Sequence, residues 1–410
     1  PGEVAVHQRV ARFTDDPTEA AACLEKARDL DILNKSGHIE LIHHLINTGA
    51  YQQAQQAIDH PVWKSSPPPA ILALEASITR AQGRYKAARE RLQQILVEHP
   101  DLVSGWETLL DWSETDQDRE NYRVALTELA RLKPSEPQYK SRLAETLQQD
   151  EKLDEAERIL RQAYQDHPND SYTALTYLDF LHDITNLQLA AEVFERCVER
   201  FPWGVTYARG VRHGVLRKDE KLARHWFNQV LAQRQPGEWA MRHAMEWMSI
   251  LYFPEKLTKV LQRKLEQTKS GEFGKDLVHG WMLAALKSRT EFRLAKSVVR
   301  FAKKAANRPE FLISVMASIS QCGTLKDALL RKLIKQFRQE ILQNDELWKI
   351  TIQCLHDHYL ESHAIELADQ WELRQALSAS DLYYLAACFG AKKRWQQGVE
   401  IAQHGLGLAD

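Results

Sequence analysis

Five of the 14 prolines in this chain stand at a constant interval. Steps of 34 residues join Pro100, Pro134, Pro168, Pro202 and Pro236. Because proline has no backbone N–H and cannot continue an α-helix, this spacing predicts helices that end at a fixed interval. A fixed period of about 20 to 50 residues is the sequence mark of a repeat solenoid. We therefore interpret the 410 residues as an array of repeats rather than as two or three globular domains.

Each interval between two prolines holds two apolar patterns of helical spacing, separated by a turn. In one interval, Leu143 and Leu147 belong to the first pattern, and Leu153, Ala156 and Leu160 to the second. The interval that ends at Pro236 fits best when it is shifted by one residue. Weaker copies of the pattern continue outside this region, over residues 36–61, 277–309, 347–368 and 382–405. The sequence predicts about ten helical hairpins and no strands.

The pattern resembles the tetratricopeptide repeat (TPR) family over residues 69–236. Small residues stand where the second helix of a TPR hairpin approaches the first, at Ala88, Ala156 and Ala190. The resemblance implies an all-α fold, a right-handed superhelical solenoid of TPR-like hairpins. The family has a glycine in the first helix, and the corresponding residues here are Ala76, Leu110, Ala144, Leu178 and Arg212. Leucine and arginine at that position predict looser or re-angled packing.

The regularity of the pattern divides the chain into three segments. Residues 1–68 are expected to hold N-terminal helices and a first hairpin, residues 69–236 the regular array, and residues 237–410 divergent repeats. Within the last segment, the stretch 237–273 reads as irregular, and we expect the array to change direction there.

The sequence contains no phosphate-binding loop, dinucleotide fingerprint, serine-hydrolase elbow or zinc-protease motif. The best metal candidate is the group His356, His358, Glu361 and His363. His356 and His363 share one helix face but His358 points elsewhere, so ordinary histidines beside a turn are the preferred interpretation. The sequence predicts that the chain is not an enzyme and has no metal or cofactor.

The five cysteines are far apart and form no C-x-x-C pair. Cys354 and Cys388 lie on apolar helix faces, so packing is preferred over a nucleophilic role. Reduced cysteines indicate a reducing compartment, and we expect a cytoplasmic protein. No apolar run approaches the ~18 residues of a membrane span, and no signal peptide is recognised. The chain begins with Pro1-Gly2 rather than methionine, which suggests a part of a larger protein, and its oligomeric state is left open.

Charge is segregated along the chain although the net charge is only −2. Residues 1–200 hold 22 basic and 34 acidic side chains, residues 201–340 hold 27 and 12, and residues 341–410 hold 5 and 10. Solvated outer faces are the simplest interpretation. The functional interpretation is a basic segment that attracts an acidic protein, a phosphorylated one or nucleic acid.

The resemblance also implies that the first helix of each hairpin lines a groove. Read from the family's inward-facing positions, the predicted groove residues are Glu107, Asp111, Glu114, Glu145, Tyr172, Asp179, His182, Arg209, His213 and Arg217. The spacing of Arg209, His213 and Arg217 forms one stripe on a helix, which we expect to face solvent. A groove that is acidic at one end and basic at the other favours one direction of a mixed-charge peptide.

A second basic stripe is predicted on one helix, and it consists of Arg289, Arg293, Lys296, Arg300 and Lys303. The function that the resemblance implies is a scaffold or adaptor that binds a protein or peptide through the groove. Binding of nucleic acid or another polyanion through residues 205–340 is the first alternative. The regulatory or sensor arm of a larger multidomain enzyme is the second.

The repeat interpretation makes a prediction about stability. Ala156 is expected at the closest approach of two paired helices, so Ala156→Phe should overpack them and lower the free energy of unfolding by ~1–3 kcal/mol. In an array, each repeat is supported mainly by its neighbours. Hydrogen exchange should therefore show the loss of protection next to the substitution first and in distant hairpins least; a uniform loss along the chain would contradict the array.

Overall fold

The structure is a computed structural model that describes residues 2–14, 17–30, 35–60, 67–233, 235–268, 271–288, 291–321, 326–368, 371–374 and 377–407. Over these residues the chain is all-α, as predicted: there are 24 α-helices, one 3₁₀ turn at Trp371–Leu373, and no strand. Twenty-four helices make twelve consecutive pairs, somewhat more than the ten hairpins expected.

The chain forms two compact units, Pro1–Tyr177 and Leu178–Asp410. The first unit contains α1 (Gly2–Phe13), α2 (Pro17–Leu30), α3 (Lys35–Asn47), α4 (Tyr51–Ile58), α5 (Pro69–Ala81), α6 (Tyr85–Glu98), α7 (Val103–Thr115), α8 (Arg119–Leu132), α9 (Pro137–Gln149), α10 (Leu153–Asp166) and the start of α11 (Ser171–Asp183). This two-unit division does not address the regularity of the repeats, so the three segments predicted from the sequence stay a prediction.

The second unit begins inside α11. It continues with α12 (Leu187–Arg200), α13 (Gly204–Leu216), α14 (Glu220–Ala232), α15 (Glu238–Leu251), α16 (Pro254–Gln267), α17 (Lys275–Ser288), α18 (Glu291–Lys304), α19 (Arg308–Ser320), α20 (Asp327–Gln343), α21 (Asp345–Asp357), α22 (Glu361–Leu367), α23 (Ala379–Ala391) and α24 (Trp395–Leu406). The expectation of an irregular stretch over 237–273 was wrong, because α15 and α16 are regular helices that occupy most of it.

The period of 34 residues reappears in the helix boundaries. The first helices of successive hairpins begin at residues 69, 103, 137 and 171, and the second helices begin at 85, 119, 153 and 187. Helices α6, α8, α10 and α12 each end two residues before a proline of the series. The next pair, α13 and α14, begins at 204 and 220, one residue early. The one-residue shift predicted for the last interval is therefore real.

The turns inside the hairpins share one backbone geometry. Eight of the described turns contain a residue whose φ lies between 57° and 82°: Gly49, Gly83, Gln117, Glu151, Thr185, Lys218, Tyr359 and Lys393. Its N–H donates to the carbonyl three residues earlier, and the next N–H donates to the carbonyl five residues earlier. This is the Schellman motif, which satisfies the last carbonyls of the first helix. In every case the second helix begins two residues after the left-handed residue.

In six hairpins the fourth residue of the second helix is an alanine with no exposed surface, whereas in α8 the same position holds the half-buried Tyr122. The six alanines are Ala54, Ala88, Ala156, Ala190, Ala223 and Ala364. The small methyl group of alanine lets the backbones of the paired helices come close together. In α13 the partner is a glycine: a Cβ on Gly214 would lie 2.4 Å from the backbone N of Ala223. The looser packing expected from Arg212 was therefore wrong for this pair, because Gly214 provides the close approach two residues later.

The shared turn geometry predicts that glycine would be more stable than threonine at position 185, where the backbone is left-handed. Thr185 is exposed and has a φ of 57°, a conformation that costs a non-glycine residue about 1–2 kcal/mol. Thr185→Gly should raise the free energy of unfolding by about 1 kcal/mol, since part of the gain is offset by the flexibility of glycine in the unfolded chain. Urea denaturation measures the change.

The reverse substitution is the matched control. A side chain at Gly83, where φ is 82°, meets no atom within 4 Å, so Gly83→Thr tests backbone strain without a steric clash. It should destabilise the protein by a similar amount. Stabilisation by Gly83→Thr, or destabilisation by Thr185→Gly, would contradict the geometry of these turns.

Candidate functional site

The first unit contains a groove bounded by the first helices of three successive hairpins. It holds a cavity of about 600 Å³ between α3, α5 and α7. Ala70, Ala73 and Ser77 lie along its floor, and their small side chains leave the surface open. The buried faces of Leu74 and Trp112 make part of the lining apolar.

Two of the predicted groove residues, Glu107 and Asp111, line this cavity. Glu107 accepts hydrogen bonds from Lys133 Nζ at 3.0 Å and from the Tyr139 hydroxyl at 3.3 Å. Asp111 is exposed on the next turn of the same helix. The α7 side of this groove is therefore acidic, and the exposed Asp111 carries part of that charge to the solvent.

An arginine that lines the groove, Arg80, is already paired within the protein. Arg80 lines the cavity and donates to both carboxylate oxygens of Asp116, at 2.9 and 2.8 Å. The guanidinium groups of Arg80 and Arg89 lower the pKa of Asp116 to about 2. Arg80 also stacks on Trp112, 5.0 Å from the ring centroid. Because Arg80 is held in this way, it fixes the shape of the groove more than it contributes free positive charge.

The other predicted residues of the first unit make contacts between neighbouring hairpins. Glu114 accepts from Arg142 Nη2 at 2.9 Å. Glu145 accepts from the Tyr172 hydroxyl at 3.1 Å, and the Tyr172 ring is 43% exposed. None of these three residues lines the cavity between α3, α5 and α7.

In the second unit the predicted residues form a buried ion-pair cluster. Arg209 Nε donates to Asp179 Oδ2 at 2.9 Å, and Arg212 pairs with both Asp179 and Asp183. The side chains of Arg209 and Arg212 are only 12% and 11% exposed. Burial raises the pKa of Asp179, while the two guanidinium groups act in the opposite direction. The sequence predicted a solvent-facing stripe, and this was wrong for Arg209, because the carboxylates of α11 draw it between the helices.

Histidines extend the cluster. His182 Nε2 lies 3.1 Å from His213 Nδ1, and both rings are buried. Burial, with the nearby charge of Arg212, lowers the pKa of His182 to about 2. Burial and Arg209 lower the pKa of His243 to about 4. Solvent exposure was thus wrong for His213 as well, whereas Arg217, at the end of α13, is exposed as expected.

The sequence reasoning missed the aromatic stripe on α15. Trp239 and Trp247 present their rings to Arg209 and Arg212, with centroids 4.6 and 5.2 Å from the guanidinium carbons. His243 stacks on Trp239 at 4.6 Å. The available signal was the spacing of Trp239, His243 and Trp247 by four residues, which places all three on one helix face.

The second basic stripe lies on the exposed face of α18. Arg293, Lys296, Arg300 and Lys303 are all exposed, while Arg289 lies outside the described residues. Arg300 pairs with Glu266 at 2.8 Å, and Lys296 stands over the Phe292 ring at 4.6 Å. Four of the five predicted residues therefore lie on the exposed surface of α18, and the binding role of the stripe stays a prediction.

The histidines of the metal candidate His356, His358, Glu361 and His363 contact different partners in the structure. His358 is buried and its Nε2 lies 2.9 Å from the carbonyl of Ile319, whereas His363 contacts Arg331 and His356 contacts Asp357. Among the described residues no group of three or more His, Cys, Asp or Glu is arranged to hold a metal ion.

The thiols considered as nucleophiles are packed in the interior. Cys354 and Cys388 are fully buried, and burial raises the pKa of both thiols, for Cys388 to about 12. Packing is thus the role that the structure supports for both. None of the helices in the described part of the chain has the length and apolar character needed to cross a bilayer.

The histidine cluster predicts a loss of stability in mild acid. A histidine whose pKa falls on folding stabilises the protein fully above its unfolded pKa of about 6.5, and this contribution is lost as the pH falls below that value. His182 alone should remove about 2 kcal/mol by pH 5. Burial is the largest cause of the lowered pKa of His182, and the neighbouring groups that add to it are Arg212, His213, Arg209 and His243. His182→Asn should make the decline in unfolding free energy between pH 7.5 and 5 shallower, as measured by urea denaturation.

A control variant in the same unit separates this effect from general acid destabilisation. His225 is exposed on α14, so His225→Asn should keep the wild-type pH profile. Identical profiles for His182→Asn and the wild type would show that His182 does not carry the effect.

Comparison with solved structures gives similarities at low sequence identity. PilF of Pseudomonas aeruginosa aligns at a TM-score of 0.38 and 16% identity, over 55% of this chain and 98% of PilF. A tetratricopeptide repeat protein of Parabacteroides merdae aligns at 0.33 and 15%, over 60% of this chain and 100% of that one. A structure of Naa15/Naa10 bound to HypK-THB aligns at 0.38 and 12%, over 91% of this chain and 63% of that one. No family model and no curated protein matches the sequence.

The fold is assigned from the molecule itself. Hairpins that recur every 34 residues, turns with one shared geometry, and a buried alanine at the fourth residue of the second helix in most of the regular hairpins are the features of tetratricopeptide repeats. The described part of the chain is a TPR-like helical-repeat protein.

Proposed function

We propose that this chain is a binding protein rather than an enzyme, and that it binds a peptide segment of a partner protein in the groove between α3, α5 and α7. The observation that carries the proposal is the cavity of about 600 Å³, which is built only from the first helices of successive hairpins. Pockets that hold ligands occupy ~300–1,000 Å³. The volume suits a few side chains of one segment.

The lining supports a helical or extended segment rather than a small polar ligand. The residues Ala70, Ala73 and Ser77 follow one another at helical spacing along α5. The short side chains of the half-buried Ala70 and Ser77 let a partner backbone come close to the helix, and the half-buried Ile39 and Ile46 of α3 offer apolar contact. An amphipathic helix that lays its apolar face into a groove is a common mode of peptide recognition.

The charge of the rim supports a basic partner. Glu107 and Asp111 stand one helical turn apart on α7 and face the groove. A lysine or arginine of the segment can pair with Asp111, which is exposed.

Four other predicted groove residues have a different place in the proposal. Tyr172 and Arg217 are proposed as exposed contacts, whereas the buried Arg209 and His213 are proposed to shape the surface that α13 presents.

We also propose a cytoplasmic location, as the sequence suggests. Cys197, Cys354 and Cys388 are buried as free thiols, which agrees with a reducing compartment.

The test is a selection of displayed random peptides on the whole chain, followed by binding measurements with the enriched peptides. We expect enriched peptides to combine basic and apolar residues. Ala81 is exposed at the end of α5 and lines the cavity, so Ala81→Trp should fill the groove and weaken binding by about tenfold or more. Asp111→Lys should weaken the same peptides by repulsion.

The matched control places the same side chain on the other helix of the hairpin. Ala87 is exposed on α6 and does not line the cavity, so Ala87→Trp should leave binding unchanged. The proposal is wrong if no peptide is enriched, or if Ala81→Trp and Ala87→Trp bind the enriched peptides equally well.

A further inference from the structure

The second unit contains another concave site. It lies between second helices of its hairpins, whereas the groove of the first unit lies between first helices. A cavity of about 420 Å³ opens between α14 and α16. Four cationic side chains line it: Arg224 from α14, and Lys256, Lys259 and Arg263 from α16. The spacing of the three residues of α16 places them on one helix face, toward the same cavity.

Two of the cations are held in place. Arg224 Nε donates to the Tyr252 hydroxyl at 3.0 Å, and its Nη2 donates to Glu220 at 2.7 Å. Lys256 Nζ stands 3.6 Å from the centroid of the Tyr252 ring and 3.5 Å from the Glu220 carboxylate. Tyr252 is only 3% exposed, so these contacts position the two cations on a rigid base before any ligand arrives.

The other two cations have no such partner. Lys259 and Arg263 are exposed, and neither makes an ion pair or a side-chain hydrogen bond within the described residues. Within the described part of the chain, Glu220 is the one acid that pairs with these four cations, and it already accepts from both Arg224 and Lys256. The cavity therefore carries a net positive charge of about three, and it is concentrated in a space large enough for a small ligand.

We propose that this cavity binds a small ligand that carries two or more phosphate groups. Arg224 and Arg263 offer guanidinium N–H groups that match phosphate oxygens in pairs, and Lys256 and Lys259 act as point charges beside them. Asn228 adds an amide to the same wall. A single carboxylate leaves most of this charge unmatched, whereas a diphosphate or triphosphate neutralises it. The site is independent of the peptide groove, which lies in the other unit.

The cavity differs from the basic stripe of α18. That stripe is an exposed helix face and includes Arg300, which is already paired with Glu266, while the four cations of the cavity surround one volume. A nucleic acid carries a long chain of phosphates, so a surface that binds it would use the cavity and the stripe together. A small ligand would use the cavity alone.

The experiment is isothermal titration of the whole chain at physiological ionic strength, with inorganic tripolyphosphate, a nucleoside triphosphate and an inositol polyphosphate as probes. The double variant Lys259→Gln/Arg263→Gln should weaken binding of the tightest probe by about tenfold or more. Thermal melting should show that it folds as the wild type does, since neither side chain has a partner to lose. Comparison of the three probes shows whether an inorganic chain, a nucleotide or a cyclitol phosphate is preferred.

The matched control removes the same charge elsewhere. Lys296 and Lys303 are exposed on α18, and Lys296→Gln/Lys303→Gln should change the affinity by less than about threefold. Absence of binding to all three probes, or an equal loss in both double variants, would overturn the proposal. So would a single-stranded oligonucleotide that binds more tightly than the probes and is weakened by both variants.

Discussion

The structure depends on how closely the two helices of a hairpin can approach. An alanine at the fourth position of the second helix, fully buried at Ala88, Ala156 and Ala190, lets the backbones nearly touch. A larger side chain would push the helices apart and displace every residue that packs between hairpins. The Schellman turn brings the second helix to this position, because it ends the first helix and starts the second at a fixed distance. The contact between the paired helices and the turn that joins them define one repeating unit. Successive units keep this framework and differ in their exposed side chains.

Those surfaces carry the functional differences. In the first unit, the first helices leave a groove with small side chains and an acidic rim at Glu107 and Asp111. In the second unit, carboxylates of α11 and arginines of α13 neutralise each other in the interior, at Asp179 and Arg209. The excess positive charge of that unit then remains on second helices such as α16 and α18, where Lys259 and Arg293 are exposed. The proposed peptide groove therefore uses first helices of the hairpins, and the proposed phosphate site uses second helices.

The sequence was sufficient for the features that depend on one position at a time. The proline series predicted where α6, α8, α10 and α12 end, because a proline prevents the preceding helix from continuing through it. The left-handed turn residues were predictable only at Gly49 and Gly83; at Thr185 and Tyr359 the turn geometry overrides the preference of the residue. The environment of Arg209 was not predictable from the sequence. A polar residue on a first helix has the same sequence pattern whether it faces solvent or a carboxylate of the preceding hairpin. Lys259 and Arg224 lie 35 residues apart in sequence, so the cavity they share is a property of the packing alone.

The exact period of the regular repeats has a consequence for the evolution of this chain. Between residues 69 and 170, three successive modules begin at 69, 103 and 137 with identical internal spacing. Duplication or loss of one whole module here would return every following helix to its original face, so the array can grow or shrink by unequal crossover without refitting its core. At residue 204 the spacing changes by one. An exchange across that point would leave Gly214 and Ala223 out of register with their neighbours, so length variation should be confined to the part of the chain before it.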